Sequence, residues 1–331
     1  MRRSPNDSPD RAPDALGRRD LLKLLVGAGA ALSLDPARLA ASTIAPSLDW
    51  LVAQGLVSKP IPSSGERIPV IGVGTARRYE SAATEAERAP LREVVRNLPK
   101  LGGRLIDTAP SYGQAESVVG DLVAEVGNRD QLFIATKVGR GRQGVQAGKD
   151  EIEASFRKLK TDRIDMLQIH NLGGVPEMLP VLREMKQAKR IRYYGVTTSS
   201  DGQYAALEEF MKREPMDVVQ VDYAIDNRGV EERILPLAAE KGIAVLTNLP
   251  FGRGRVFEKL GKQPLPDWAK AIGITTWAQF ALKYVVSHPA VTVAIPGTAK
   301  LEYLTDNLGA ARGPMPDDAT RRRMAALVES A

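Results

Sequence analysis

Four side chains, Asp107, Tyr112, Lys137 and His170, are of the types needed to place a proton on an oxygen atom. A free phenol has a pKa near 10, so at neutral pH it holds its proton but donates it reluctantly. An ammonium about 4 Å away, at an effective dielectric of about 20, interacts with a phenolate by about 4 kcal/mol. That would make the phenol up to about a thousandfold more acidic, an upper limit because burial opposes it. Lys137 is the candidate cation, and Asp107 the carboxylate that would keep it charged and aimed. His170 is the imidazole that would hydrogen-bond a substrate oxygen. A proton on oxygen, paired with a hydride on carbon, is what reducing a carbonyl requires. Singly, each residue has a structural explanation: a loop aromatic, a snorkelling strand end, a helix cap, an imidazole bonded to a backbone carbonyl. The chemical reading depends on all four meeting at one place.

The elements that would bring them together are legible in the hydrophobic pattern. Short apolar runs occupy 69–74, 104–108, 131–137, 164–170, 191–197, 217–221, 242–247 and 291–296. Between them lie stretches such as 91–103 and 151–160, with apolar residues at helical spacing and Gly or Lys/Arg at their ends. Eight buried strands alternating with helices predict an α/β fold with a parallel sheet, closed as a (β/α)₈ TIM barrel. Each run ends in polar or glycine positions: Asp107, Lys137, His170, Thr197 with Thr198, Gln220, Asn248, and Gly297 with Thr298. Strand C-termini of such a barrel converge on one mouth, where active sites lie. The stretch 61–72, with turn residues Ser64, Gly65 and Glu66, predicts an N-terminal β-hairpin under the barrel floor. Residues 316–330 predict a C-terminal surface helix capped by Asp317 or Asp318.

The chain of 331 residues is 43% hydrophobic and 26% charged, with a net charge of +6, ordinary values for a globular enzyme. No basic stripe interleaved with aromatics marks a nucleic-acid binder. The absence of cysteine excludes disulfides, thiolate catalysis and Cys-ligated zinc. With two histidines in all, no metal site is expected.

Residues 1–41 have the layout of an export signal. Arg18-Arg19-Asp20-Leu21-Leu22-Lys23 precedes the apolar run LLVGAGAALSL, and Leu39-Ala40-Ala41 follows. The run is too short for a stable membrane span, which takes about 20 residues. The segment resembles a twin-arginine leader, with Gly17 where Ser or Thr is usual. That implies the twin-arginine export machinery as a partner and a periplasmic or otherwise exported location. An amphipathic surface helix is the other reading. Residues 42–60 read as a linker or short helix, and 61–331 as the barrel.

The segment LIDTAPSYGQAESVVG (105–120) resembles the Asp-Thr-Ala…Tyr-Gly signature of aldo-keto reductases. ATK ending at Lys137, DMLQIHN with Asp165 and His170, and IPGTAKLEYLTDN (295–307) match the same family in the same order, over roughly 61–310. The resemblance implies reduction of an aldehyde or ketone by Tyr112, Lys137, Asp107 and His170, with NADPH as cofactor and NADH as the second choice. It implies that Thr197, Thr198 and Gln220 hold the nicotinamide carboxamide, and that Pro296, Gly297, Thr298 and Lys300 meet phosphate. Asp306 and Asn307 are implied near the adenine, and Thr75, Asp107, Asn248, Leu249, Pro250 and Gly252 line the remainder. Thr198 stands where the family usually has Asn, and Asn248 where many members stack an aromatic ring. Gly297 and Tyr303 stand where some members have Lys and Arg. The Gly72-Val73-Gly74 run lacks the third glycine of a dinucleotide fingerprint and carries no cofactor reading.

The loop over 75–90 lacks the tryptophan common in the family and offers Arg77, Arg78 and Tyr79 instead. One reading is an anionic or polar carbonyl substrate; the other is a solvated basic pair. His288 reads as a surface turn residue. At the level of function, an exported nicotinamide-nucleotide-binding sensor of the same fold, with little turnover, is the alternative from another class. A barrel hydrolase or isomerase would want paired carboxylates or a metal cluster at the mouth, and the sequence offers neither.

Overall fold

A computed structural model describes residues 55–331. The expected export leader and the linker up to residue 54 lie outside the described residues. Ten strands follow in chain order: β1 (Ser58–Pro60), β2 (Arg67–Pro69), β3 (Val73–Gly74), β4 (Leu105–Asp107), β5 (Phe133–Val138), β6 (Ile164–Ile169), β7 (Ile191–Thr197), β8 (Val218–Asp222), β9 (Ala244–Asn248) and β10 (Val293–Ala294). The eight from β3 to β10 form one parallel sheet in sequence order. Parallel bridges Ile71↔Ala294 and Gly74↔Gly297 join its first and last strands and close it into a barrel. At this seam the Gly72 and Gly74 amides donate to the carbonyls of Ala294 and Pro296, both at 2.9 Å.

Helices cover the barrel: α1 (Glu85–Asn97), α2 (Ala115–Val126), α3 (Val145–Leu159), α4 (Val175–Gln187), α5 (Tyr204–Arg213), α6 (Ile234–Lys241), α7 (Arg255–Leu260), α8 (Asp267–Ala271), α9 (Trp277–Ser287), α10 (Leu301–Gly309) and α11 (Asp318–Glu329). All eight expected strands are present. The C-terminal helix is capped by Asp317, whose carboxylate accepts from the Thr320 amide at 2.8 Å.

Two boundaries differ from expectation. Helix α1 begins within the stretch read as loop, because Thr84 and Glu87 form a reciprocal capping box. Pro90, the last residue of that expected loop, sits inside the helix as its sixth residue. The floor hairpin pairs β1 with β2, Lys59 opposite Ile68, so its first strand uses residues 58–60, which read as linker.

Strand periodicity decides which side chains face the barrel interior. Alternate residues Leu105, Phe133, Ala135, Met166, Tyr193, Val218, Ala244, Leu246, Val293 and Ile295 form one buried cluster with Ile61 and Ile68 of the hairpin. The hairpin therefore plugs the lower end of a solid apolar core. The next inward positions along the same strands, two residues on, are Asp107, Lys137, Gln220, Asn248 and Gly297, with Thr197 four residues beyond Tyr193. The polar mouth is the top layer of the same series that fills the core.

Closure at the seam depends on Gly74. A Cβ there would lie 2.7 Å from the Ile295 carbonyl oxygen, and backbone on both sides leaves no flexible group to yield. Gly74→Ala is expected to cost about 1–3 kcal/mol. It should lower the urea midpoint with an unchanged slope; an unchanged midpoint would contradict the closure.

Candidate active site

The end of β4 carries Asp107 and the end of β5 carries Lys137, neighbouring strands in register. Both side chains are buried, 2% and 1% exposed, so each must find its partners within the protein. The Lys137 ammonium donates to Asp107 Oδ2 at 2.7 Å and to the Thr108 carbonyl at 2.9 Å. It stands 4.9 Å from the centre of the Tyr112 ring. His170, directly after β6, places its ring edge-on to Tyr112, with centres 5.9 Å apart and planes at 83°. Its Nδ1 lies 3.3 Å from Ser111 Oγ. All four side chains line one cavity of about 590 Å³ at the barrel mouth.

The electrostatics differ from the sequence expectation in one respect. Burial raises the Tyr112 phenol above its usual pKa, outweighing the pull of the Lys137 ammonium, and the Asp107 charge adds to the rise. In the protein alone, Tyr112 is therefore a firm holder of its proton and not an acidified phenol. Burial works against the charged form of Lys137, but the Asp107 carboxylate and Tyr112 outweigh it and hold the ammonium above the usual lysine range. Burial, followed by the charges of Lys137 and Arg142, pushes His170 down to about 4. The direction of the Ser111–Nδ1 contact follows the tautomer of this neutral imidazole: with Nδ1 accepting, the hydrogen sits on Nε2.

Of the positions implied for a cofactor, Thr75, Thr197, Gln220, Asn248, Leu249, Pro250 and Gly297 line the same cavity. Thr75 Oγ1 donates to the Asp107 carbonyl at 3.0 Å, and Thr197 Oγ1 accepts from the Asn171 amide at 3.3 Å. The amide oxygens of Gln220 and Asn248 are buried without a hydrogen-bond partner. Two orphaned acceptors in a cavity fit a group that brings two N–H donors, as a carboxamide does.

Other implied positions are placed differently. Thr198 turns away, its hydroxyl 2.5 Å from Gln203 Oε1. Gly252 lines a smaller cavity of about 190 Å³ that shares Ser199, Leu249 and Arg253 with the first. Thr298 donates to the Pro296 carbonyl at 3.0 Å and accepts from Asn307 at 3.1 Å, which fixes the end of the last strand. Lys300 is exposed beside Glu302, 3.6 Å away. The Asp306 carboxylate accepts from Thr276 at 2.9 Å and Gln279 at 2.8 Å, at the start of α9.

Among residues the sequence reading did not single out, Ser111, Asn171, Ser199, Phe251, Arg253 and Phe257 also line the main cavity. Most follow a strand end by one to five residues, and that proximity is the signal that could have found them. Gln168 lies one inward step below His170 on β6, opposite Gly195, and both its amide atoms are buried without a partner. Strand alternation from Met166 points to it. Tyr79, read as a mouth residue, is instead fully buried in the core. His288 is a half-buried turn residue whose Nδ1 accepts from the Ala290 amide at 3.2 Å.

A closed eight-stranded barrel, with its polar side chains gathered at the strand C-termini, defines the chain as a (β/α)₈-barrel protein with a cavity at its mouth. The chain belongs to the aldo/keto reductase family, whose model matches residues 70–327. It is 33% identical over 216 residues to aldo-keto reductase YhdN of Bacillus subtilis, a match covering 61% of this chain and 64% of that relative, just under two thirds of its length. Methylglyoxal reductase YeaE of Escherichia coli is 30% identical over 256 residues, covering 75% of this chain and 88% of the relative. Among solved structures, a Klebsiella pneumoniae aldo/keto reductase in complex with NADP and acetate superposes with a TM-score of 0.69 at 28% identity, covering 81% and 94% of the two chains. The holo form of AKR11C1 from Bacillus halodurans gives 0.67 at 25% identity, covering 82% and 96%.

Histidine burial has a consequence for stability. Both His170 and His288 are pushed to about 4, below the usual 6.5, by burial first and by neighbouring cations second. The folded chain therefore binds fewer protons than the unfolded one between these values. Their contribution is complete above pH 6.5 and falls away as pH drops towards 4. The melting temperature should decline over that window in the wild type, and less steeply in His170→Asn/His288→Asn. Equal slopes would contradict the placement.

Proposed function

We propose that this chain is an NADPH-dependent reductase of aldehydes or ketones, with Tyr112 as the proton donor. The single observation that carries the reading is the buried Lys137–Asp107 pair beneath Tyr112, in one cavity with neutral His170 and two orphaned amide oxygens. Membership of the aldo/keto reductase family and the NADP-bound Klebsiella relative support the cofactor. NADPH, when bound, supplies the hydride that the carbonyl carbon accepts.

The rest falls to the chain's own residues. Gln220 and Asn248 offer acceptors for the carboxamide, Thr197 offers a hydroxyl, and the backbone around Gly297 offers a phosphate approach. His170 donates from Nε2 to the carbonyl oxygen and orients it towards Tyr112. As negative charge builds on that oxygen, it becomes far more basic than a phenolate and takes the Tyr112 proton. Lys137 then faces the phenolate left behind, inside a low-dielectric site where the attraction counts for more than in water. Asp107 holds Lys137 charged throughout.

The twin-arginine-like residues Arg18 and Arg19 support export, and export in the folded state would let the protein take its nucleotide on board beforehand. Cell fractionation should find the wild-type chain in the periplasm and the Arg18→Lys/Arg19→Lys variant in the cytoplasm. A wild-type chain retained in the cytoplasm would end that part of the proposal.

Tyr112→Phe should lower kcat by roughly 10²–10⁴-fold, while NADPH affinity, followed by fluorescence titration, persists. Comparable turnover in the two proteins would remove Tyr112 from its role.

A further inference from the structure

We propose that Arg77 and Arg78 form a clamp for an anionic group, a carboxylate or phosphate, carried by the carbonyl substrate. This rests on the reductase reading above and names its substrate class. Both arginines line the cavity that holds Tyr112 and His170. Both are exposed there, and among the described residues neither guanidinium has a hydrogen-bond or ion-pair partner.

The turn that presents them is built, not loose. The Thr75 carbonyl accepts from the amides of Arg78 and Tyr79, each at 3.0 Å. Thr75 is tied to Asp107, and Tyr79 is buried completely, which anchors both sides of the pair. Arg77 adopts a left-handed backbone, φ 61°, with its amide held by Glu80 Oε1 at 2.8 Å. The same turn abuts the Tyr112 loop. The Glu80 carbonyl accepts from the Gln114 amide at 3.0 Å, and a Cβ on Gly113 would come within 2.7 Å of that carbonyl. The two guanidiniums are thus mounted on a frame fixed relative to the proton donor.

Charge balance points the same way. Asp107 is the only carboxylate among the described residues lining the cavity, and Lys137 already neutralises it. Arg77, Arg78 and Arg253 remain as positive charge lining the cavity that holds Tyr112, while the Glu80 carboxylate on the same turn is engaged by the Arg77 amide. Guanidinium forks bind carboxylate and phosphate bidentately, which fixes orientation as well as adding affinity. An anionic tail held at the rim would aim the carbonyl inward. The Arg78 side chain also lies against Gly297, where a Cβ would be 3.7 Å from its Cγ and Nε, so the cofactor is the competing source of the anion.

The experiment compares kcat/KM for 4-carboxybenzaldehyde against benzaldehyde, and for glyceraldehyde 3-phosphate against glyceraldehyde, at saturating NADPH. The wild type should favour the anionic member of at least one pair. In Arg77→Gln/Arg78→Gln that preference should fall roughly ten- to a hundredfold, mainly through KM. Arg77→Lys/Arg78→Lys should recover part of it, since charge returns without the fork. Calorimetry of 4-(hydroxymethyl)benzoate binding to the NADPH-loaded protein supplies a readout independent of turnover. If binding weakens in the Gln variant although no carbonyl is reduced, the clamp stands and the reductase reading falls. Equal preference and equal binding in wild type and Gln variant overturn the clamp. So does a loss confined to NADPH affinity, which would assign both arginines to the cofactor.

Discussion

Everything at the barrel mouth depends on the buried ion pair between Lys137 and Asp107. Two charges taken out of water are tolerated only when they are matched, and here Asp107 Oδ2 carries the match while Oδ1 is buried without a partner. Here the ammonium has the Asp107 oxygen at 2.7 Å, the Thr108 carbonyl at 2.9 Å and the Tyr112 ring above it. Removing either partner would strand the other in a low-dielectric site. The geometry of adjacent parallel strands makes the pair possible, because β4 and β5 run in register and deliver both side chains to the same interior layer. The hairpin plug and the apolar layers below hold that layer in place.

Much of this was legible in the sequence because strand alternation couples the core to the site. A position two residues beyond a buried Ala135 or Leu246 has to point into the same interior, so Lys137 and Asn248 declare themselves by residue type alone. The same logic did not extend to residues in loops. Tyr79 sits next to two mouth arginines, yet its ring turns into the core. Asp306, in α10, accepts from Thr276 at the start of α9, a contact set by packing between these two successive helices. The start of α1 lies within the stretch read as loop, although Thr84 and Glu87, three residues apart, are the residue types of a capping box.

The acidity of Tyr112 could not be read from residue types. Coulomb attraction to Lys137 and desolvation act in opposite directions, and only the depth of burial decides between them. Burial prevails, which changes the character of the proposed chemistry. In the proposed reaction the phenol keeps its proton until charge develops on the substrate oxygen, and Lys137 matters most after the proton has left. The neutrality of His170 follows from the same burial. The mouth therefore combines a neutral phenol and imidazole with guanidiniums that have no side-chain partner among the described residues.

The most direct test of this account is a stopped-flow single-turnover measurement on the NADPH-loaded protein, comparing wild type with Lys137→Met, with circular dichroism to show that the variant is folded. The account predicts a rate slower by at least about a hundredfold with NADPH still bound. Equal rates in the two folded proteins would contradict it.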